Sequence, residues 1–170
     1  MQLMNKNEKR LAVAFTGPSN SGKTTLIIKV SNILQDGGYK VAIVKHDPKD
    51  KATFDKEGKD SFKFSQTGAD VAVVSPNKTT IFKKQTSDID TLINIFDDFD
   101  FLLVEGLKTL PLPRICVMRN DIDERYFDVS DSIATDNSIN HNDFSNSINI
   151  LDLNNPEEIV EWIKQNAKKV

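Results

Sequence analysis

Cysteine, arginine and long apolar runs are scarce in this sequence. Cys116 is the single cysteine in 170 residues, so an internal disulfide is impossible and a reducing compartment is indicated. No apolar segment approaches the ~20 residues that a bilayer span requires, so we expect a cytoplasmic protein with no membrane partner. The net charge of −3 gives no overall basic field, which argues against a nucleic-acid partner.

Soft metal ligands are equally few. With one cysteine and two histidines, His46 and His141, the chain has no cluster suited to a metal chaperone. A hydrophobic content of 38% with 28% charged residues is ordinary for a globular domain of this length. We predict a flexible, polar N-terminal leader at residues 1–10 and a single domain over residues 11–170.

Short apolar runs alternate with segments of helical periodicity along the chain. This alternation predicts an α/β fold, a mostly parallel sheet flanked by helices. We predict strands at residues 11–16, 41–44, 71–75, 101–104, 114–118 and 148–151, an edge strand at 79–82, and helices at 24–35, 60–66, 89–96 and 156–167. Residues 46–58 and 136–147 are predicted loops, and loops of that length are often functional.

A phosphate-binding motif follows the first predicted strand. Residues 17–24 read GPSNSGKT and fit GxxxxGK[ST] at every fixed position, which predicts a P-loop NTPase fold. In such a loop the backbone N–H groups point at phosphate oxygens, and the following helix adds the positive end of its dipole. The candidate nucleotide-binding residues here are Gly17, Asn20, Ser21, Gly22, Lys23, Thr24 and Thr25.

Three of these residues have distinct predicted roles. Lys23 reaches the β- and γ-phosphates and is a candidate catalytic residue. The Thr24 hydroxyl is a candidate Mg²⁺ ligand, and Thr25 is expected at the α-phosphate.

Charged residues follow two of the predicted strands, at the sheet edge where the motif lies. Glu105 ends an apolar strand and is a candidate to hold a Mg²⁺-bound water or to orient an attacking water. Lys45 is a candidate phosphate contact, and Asp47 a candidate outer Mg²⁺ ligand. For Glu105, an exposed acid at a strand end remains the alternative.

Other charged residues give weaker signals. Arg114 and Arg119 could contact a partner or an anion, but the default expectation is that they are solvated surface charges. No clear guanine-reading motif is present, and Asp136 is the nearest candidate.

Taken in order, these segments resemble the MobB family of molybdopterin-guanine dinucleotide biosynthesis. The segments that carry the resemblance are the loop at 17–25, VKHD at 44–47, DKEGKDS at 55–61, TGAD at 67–70, LVEGLK at 103–108 and LPRI at 112–115. The family's phosphate-binding positions correspond to Gly17, Ser21, Gly22, Lys23, Thr24 and Thr25, and its metal or water positions to Asp47 and Glu105. Pro48 and Lys49 depart from the family where a further histidine is common, and Leu107 departs where an aromatic is common.

The resemblance implies a homodimeric accessory protein with GTP and Mg²⁺ as cofactors and weak GTPase activity. It implies a MobA-like guanylyltransferase as the partner, with molybdopterin as a further candidate ligand. Two alternatives remain open, a small-molecule P-loop kinase and a nucleotide-binding module without turnover. A kinase would release ADP only with an acceptor, and the scarcity of arginine counts against an arginine-rich kinase lid.

Overall fold

The computed structural model describes residues 10–144 and 147–170. The predicted leader, apart from Arg10, lies outside the described residues, as do two residues of the predicted loop at 136–147. The chain divides into two compact units, one formed by residues up to His46 together with Phe96–Val170, the other by Asp47–Ile95. The expectation of a single domain stays a prediction.

The first unit is built on a mostly parallel sheet, as predicted. Its strands are β1 (Leu11–Thr16), β2 (Val41–Lys45), β5 (Phe101–Glu105), β6 (Arg114–Val117), β7 (Ser132–Thr135), β8 (Asn149–Asp152) and β9 (Lys168–Lys169). They are arranged in the order β2-β5-β1-β6-β7-β8, and β9 pairs antiparallel with the start of β1. The central strands β1 and β5 are buried along most of their length, which explains their continuous apolar sequences.

Two helices cover one face of this sheet. They are α1 (Lys23–Asp36) and α4 (Pro156–Asn166), and their apolar faces join a core with Val13, Phe15 and Leu103. The start of α4 is as predicted, because the Asn155 side chain accepts the Glu158 N–H and Pro156 opens the first turn.

A smaller cluster covers the other face. It contains Cys116, Met118 and Ile133, packed against a 3₁₀ helix at Glu124–Val129 through Tyr126 and Phe127. Successive residues of β6 therefore alternate between the two clusters, as the pleat of a strand requires.

The second unit contains a short helix and a hairpin. Helix α2 spans Asp60–Gln66, and strands β3 (Val71–Ser75) and β4 (Lys78–Phe82) pair antiparallel in a sheet of their own. The predicted edge strand at 79–82 is therefore one arm of this hairpin. Helix α3 (Ile89–Phe96) contains the boundary between the units.

Among the described residues the predictions missed four elements, namely β7, β9 and two 3₁₀ helices, at Glu124–Val129 and at His141–Asp143. Within the ranges described above, no helix combines the length and apolar character needed to cross a bilayer.

Candidate functional site

The predicted phosphate loop connects β1 to α1 and passes very close to β6. Gly17 has φ 131°, and a Cβ added there would lie 2.2 Å from the Val117 carbonyl oxygen. A side chain at this position would therefore collide with backbone, which cannot yield as a flexible side chain does. Residue 17 must therefore be glycine for two reasons, the close approach of the β6 backbone and the positive φ angle.

Free hydrogen-bond donors gather where the loop enters α1. The backbone N–H groups of Gly22, Lys23 and Thr24 donate to no acceptor in the described part of the chain, and the first bond of the helix is from Leu26 N–H to Gly22 O at 3.0 Å. The Ser21 hydroxyl is buried and also has no hydrogen-bond partner among the residues that the structure describes. The first N–H groups of a helix have no partner within it, and a buried hydroxyl is normally satisfied, so the two observations together fit an anionic ligand.

Lys23 bends back over its own loop. Its Nζ donates to Gly17 O at 3.0 Å and to Pro18 O at 2.6 Å. Burial lowers the pKa of the Lys23 ammonium, and the nearby Glu105 carboxylate opposes this shift. The side chain is half-buried, as expected for a lysine that lines a binding loop.

Glu105 lies at the carboxyl end of β5, in register with Phe15 of β1 and Lys45 of β2. Its Oε2 lies 3.2 Å from Lys45 Nζ, and the Glu105 side chain is 16% exposed. Both groups influence the Lys23 ammonium electrostatically. The structure thus brings together three predicted site residues, Lys23, Lys45 and Glu105, and adds an ion pair that the sequence analysis did not predict.

The remaining loop residues have exposed side chains. Asn20, Thr24 and Thr25 are exposed, and Asn20 has a positive φ of 63°. The Thr24 hydroxyl is therefore accessible to a metal ion.

Asp47 is the first residue of the second unit and is engaged in its own loop. Its carboxylate accepts N–H groups from Lys51 at 2.6 Å and Ala52 at 2.7 Å, with a longer contact from Lys49 at 3.3 Å. These bonds identify Asp47 as a cap of residues 47–52. Its assignment as a metal ligand stays a prediction.

The residues present fit Mg²⁺ in the way that nucleotide sites use it. No group of three or more His, Cys, Asp or Glu side chains in the described ranges could hold a metal ion alone. Mg²⁺ commonly takes one or two side-chain oxygens and completes its shell with water and phosphate. The Thr24 hydroxyl and the Glu105 carboxylate meet that requirement.

Arg114 is a structural residue that the sequence analysis assigned wrongly as a solvated charge. It is 1% exposed, and its guanidinium donates to the carbonyl oxygens of Gly106 at 2.8 Å, Leu107 at 3.1 Å and Leu110 at 3.1 Å. Burial lowers the pKa of the guanidinium, and the Asp131 carboxylate opposes the shift. Arg114 therefore fixes the segment that follows Glu105.

Comparisons with known proteins agree on one family. Residues 12–136 match the family model described as molybdopterin guanine dinucleotide synthesis protein B. The molybdopterin-guanine dinucleotide biosynthesis adapter protein of Escherichia coli (strain K12) is 30% identical over 172 residues, covering 91% of this chain and 95% of that protein. A relative from Methanocaldococcus jannaschii is 32% identical over 114 residues, 64% of this chain, and the match spans about half, 47%, of that protein.

Solved structures of other proteins share the fold described above. A crystal structure of molybdopterin-guanine biosynthesis protein B superposes with a TM-score of 0.71 at 26% identity, covering 91% of this chain and 99% of the other. The hydrogenase maturation factor HypB of Archaeoglobus fulgidus has a TM-score of 0.51 at 18% identity, covering 94% of this chain and 89% of the other. The predicted P-loop NTPase fold is confirmed.

Proposed function

The chain belongs to the MobB family of molybdopterin-guanine dinucleotide synthesis proteins, and from that premise we propose that it is a GTP-binding accessory protein with weak GTPase activity. In this proposal it works in the cytoplasm and assists a MobA-like guanylyltransferase in attaching GMP to molybdopterin. Its relatives are named as adapter proteins, which supports an assisting role over a catalytic one.

The observation that carries the proposal is the set of free donors at the start of α1. Three consecutive N–H groups and the buried Ser21 hydroxyl have no protein acceptor among the residues described. A triphosphate would satisfy these donors, and the adjacent Lys23 ammonium would add a charge-assisted contact. Lys45 lies close enough to Glu105 to join the phosphate environment.

Mg²⁺ would be held by the Thr24 hydroxyl and the Glu105 carboxylate. Bound there, the ion would neutralise charge on the β- and γ-phosphates. The protein residues have separate tasks, because Lys23 orients the phosphates and Glu105 accepts a hydrogen bond from a water molecule.

The contacts of the arginines explain why GTP hydrolysis is expected to be slow. An arginine that reaches the transferred phosphate can contribute 10³–10⁵ in rate. Here every arginine contacts other protein groups, namely Arg10 with Asp97, Arg114 with three carbonyls, Arg119 with Asp136 and Arg125 with Asp123. A partner protein could supply the missing arginine, which fits an accessory role.

The hairpin of the second unit supports the proposed protein contacts, including a homodimer. Val74 is 74% exposed and Ile81 is 50% exposed, and they lie on the same face of β3 and β4. A two-stranded sheet with exposed apolar side chains and open edges is a common contact surface.

Lys23→Ala tests the nucleotide site. We expect GTP affinity, measured by titration calorimetry with Mg²⁺, to fall roughly 10- to 100-fold, because a charge-assisted contact is lost. Lys63→Ala removes an exposed lysine of α2 and is the control. Unchanged GTP affinity in a folded Lys23→Ala protein would contradict the site.

Phosphate release tests the activity. We expect slow, acceptor-independent GTP hydrolysis, accelerated or unchanged when the guanylyltransferase is added. Preference for ATP with strict dependence on an acceptor would instead establish the small-molecule kinase, and binding with no turnover would establish the binding module.

A further inference from the structure

Lys45 and Glu105 are neighbours on the adjacent parallel strands β2 and β5, and the register pairs them directly. Side chains alternate between the two faces of a strand, so Glu105 lies on the same face as Leu103, which joins the core formed with α1. Lys23 is the first residue of α1. The ion pair of Lys45 and Glu105 therefore lies on the face of the sheet that carries the phosphate-loop lysine.

The Glu105 carboxylate is held in place, whereas the Lys45 ammonium is free to move. The backbone at Glu105 pairs with Phe15 of β1 on one side and with β2 on the other, and the Glu105 side chain is 16% exposed. The Lys45 side chain is 63% exposed, and its Nζ lies 3.2 Å from Glu105 Oε2. A lysine has a flexible four-carbon stem, so its ammonium can leave the carboxylate at the cost of one exposed ion pair.

Three charged groups influence one another at this point of the site. Burial lowers the pKa of the Lys23 ammonium, the Glu105 carboxylate opposes that shift, and the Lys45 ammonium adds to it. Two ammonium groups therefore act on one carboxylate, and both would repel a divalent cation placed there. At a separation of about 6 Å, one unit charge lowers the affinity for a divalent ion roughly tenfold, even with the screening of bulk water.

A triphosphate in the loop would reverse this balance of charge. Its oxygens carry several negative charges, so they would attract the Lys45 ammonium away from Glu105. The same oxygens complete the coordination shell that Mg²⁺ usually takes at a nucleotide site. The carboxylate would thus become available at the moment when a metal ion has phosphate oxygens to bind as well.

We propose that Lys45 is a positioning residue that occupies the Glu105 carboxylate until a nucleotide binds, and that it thereby makes Mg²⁺ binding conditional on phosphate. The inference rests on the proposed nucleotide site and concerns the regulation of that site. It gives Lys45 two successive partners, the Glu105 carboxylate first and a phosphate oxygen second.

Binding of Mn²⁺, a paramagnetic substitute for Mg²⁺, to the full chain without nucleotide tests the proposal, with free Mn²⁺ measured by electron paramagnetic resonance. Wild type should bind Mn²⁺ weakly, and Lys45→Met should bind it roughly tenfold more tightly. Lys45→Arg keeps the charge and should bind Mn²⁺ as weakly as wild type. Adding Glu105→Gln to Lys45→Met should abolish the gain, because the carboxylate that holds the ion is lost.

Lys63→Met is the matched control, because Lys63 is 66% exposed and its Nζ lies 3.3 Å from Asp60 Oδ1 on α2. Its Mn²⁺ affinity should equal that of wild type. Equal Mn²⁺ affinities of wild type and Lys45→Met would overturn the proposal, and so would a lack of binding to both up to about 10 mM Mn²⁺. A gain that persists in the double variant would also overturn it, since Lys45 would then not act through Glu105.

Calorimetry with GTP and Mg²⁺ separates this inference from the proposed function. If wild type binds GTP while Lys45→Met leaves the Mn²⁺ affinity unchanged, the role of Lys45 alone is refuted. If wild type does not bind GTP, the nucleotide site is refuted, and the inference with it.

Discussion

Replacing Arg114 by methionine removes a buried charge that is bonded to backbone carbonyls alone. Methionine has similar length and fills most of the same space without any donor. The carbonyl oxygens of Gly106, Leu107 and Leu110 would each lose a guanidinium hydrogen bond. The Arg114→Met protein should therefore fold with a loosened segment after Glu105 and with lower stability.

The size of the effect follows from two opposing contributions. A hydrogen bond to a charged group contributes about 1.5–3 kcal/mol, so three of them contribute about 4–9 kcal/mol before any offset. Keeping the guanidinium away from water costs several kcal/mol, and methionine removes that cost. The direction of the pKa shift of Arg114, downward through burial, has the same origin. We expect a net loss of about 2–4 kcal/mol, or roughly 4–15 °C in melting temperature at this chain length.

Urea unfolding followed by the fluorescence of the single tryptophan, Trp162, measures this loss. Arg125→Met is the control, because Arg125 is 85% exposed and an ion pair screened by water contributes little to stability. Equal stability losses in the two variants would show that the Arg114 contacts contribute no more than a surface pair, and would refute the reasoning.

Three further predictions concern the site and its surroundings. Gly17→Ala should lose about 3 kcal/mol or more of stability in thermal melts, because of the collision with Val117, whereas Gly38→Ala, with positive φ but no atom within 4 Å, should lose only about 1–2 kcal/mol. Similar losses in both would rule out the collision. Glu105→Gln should slow phosphate release at least about tenfold with GTP affinity nearly unchanged, and an unaltered rate would leave Glu105 with only its structural role as the partner of Lys45. Burial raises the pKa of the Cys116 thiol to about 12, so the native protein should not react with a disulfide reagent at pH 8. After unfolding, the thiol should react with one equivalent of the reagent. Fast reaction of the native protein would contradict the burial.

The phosphate loop and the central strands were predictable because local sequence determines them. The spacing from Gly17 to Thr24 specifies a loop, and the apolar runs of β1 and β5 specify buried strands whatever the rest of the chain does. The observed bounds of α2, β3 and α3 coincide with the predicted ones, since each element is bounded by turn or capping residues.

Strand β7 was not predicted because its strand conformation depends on pairing with segments that are distant in sequence. It has four residues, and two of them, Ser132 and Thr135, are polar and fully buried. The Ser132 hydroxyl accepts from Asn149 Nδ2 at 2.9 Å, a contact across to β8. A short run with polar ends shows no apolar period by itself, so only tertiary pairing identifies it.

The structural roles of Arg114 and Arg119 also could not be predicted from the sequence. Arg114 opens β6 and Arg119 follows its end, and in the sequence both look like ordinary surface charges. Which one is buried depends on where the carbonyls after β5 and the carboxylate after β7 come to lie. The sequence contained one signal for Arg114. An arginine at the start of a strand that is covered on both faces has little access to water, so it must be paired with other protein groups.

The burial of Cys116 at 0% exposure has a practical consequence for spectroscopy. A cysteine introduced on the surface, for example at Val74 of the hairpin, would be the one accessible thiol, because the single native thiol stays protonated and enclosed. Fluorophores or spin labels could therefore be attached at chosen positions in the otherwise natural sequence. Distances between labels on two copies would then report directly on whether the hairpins meet.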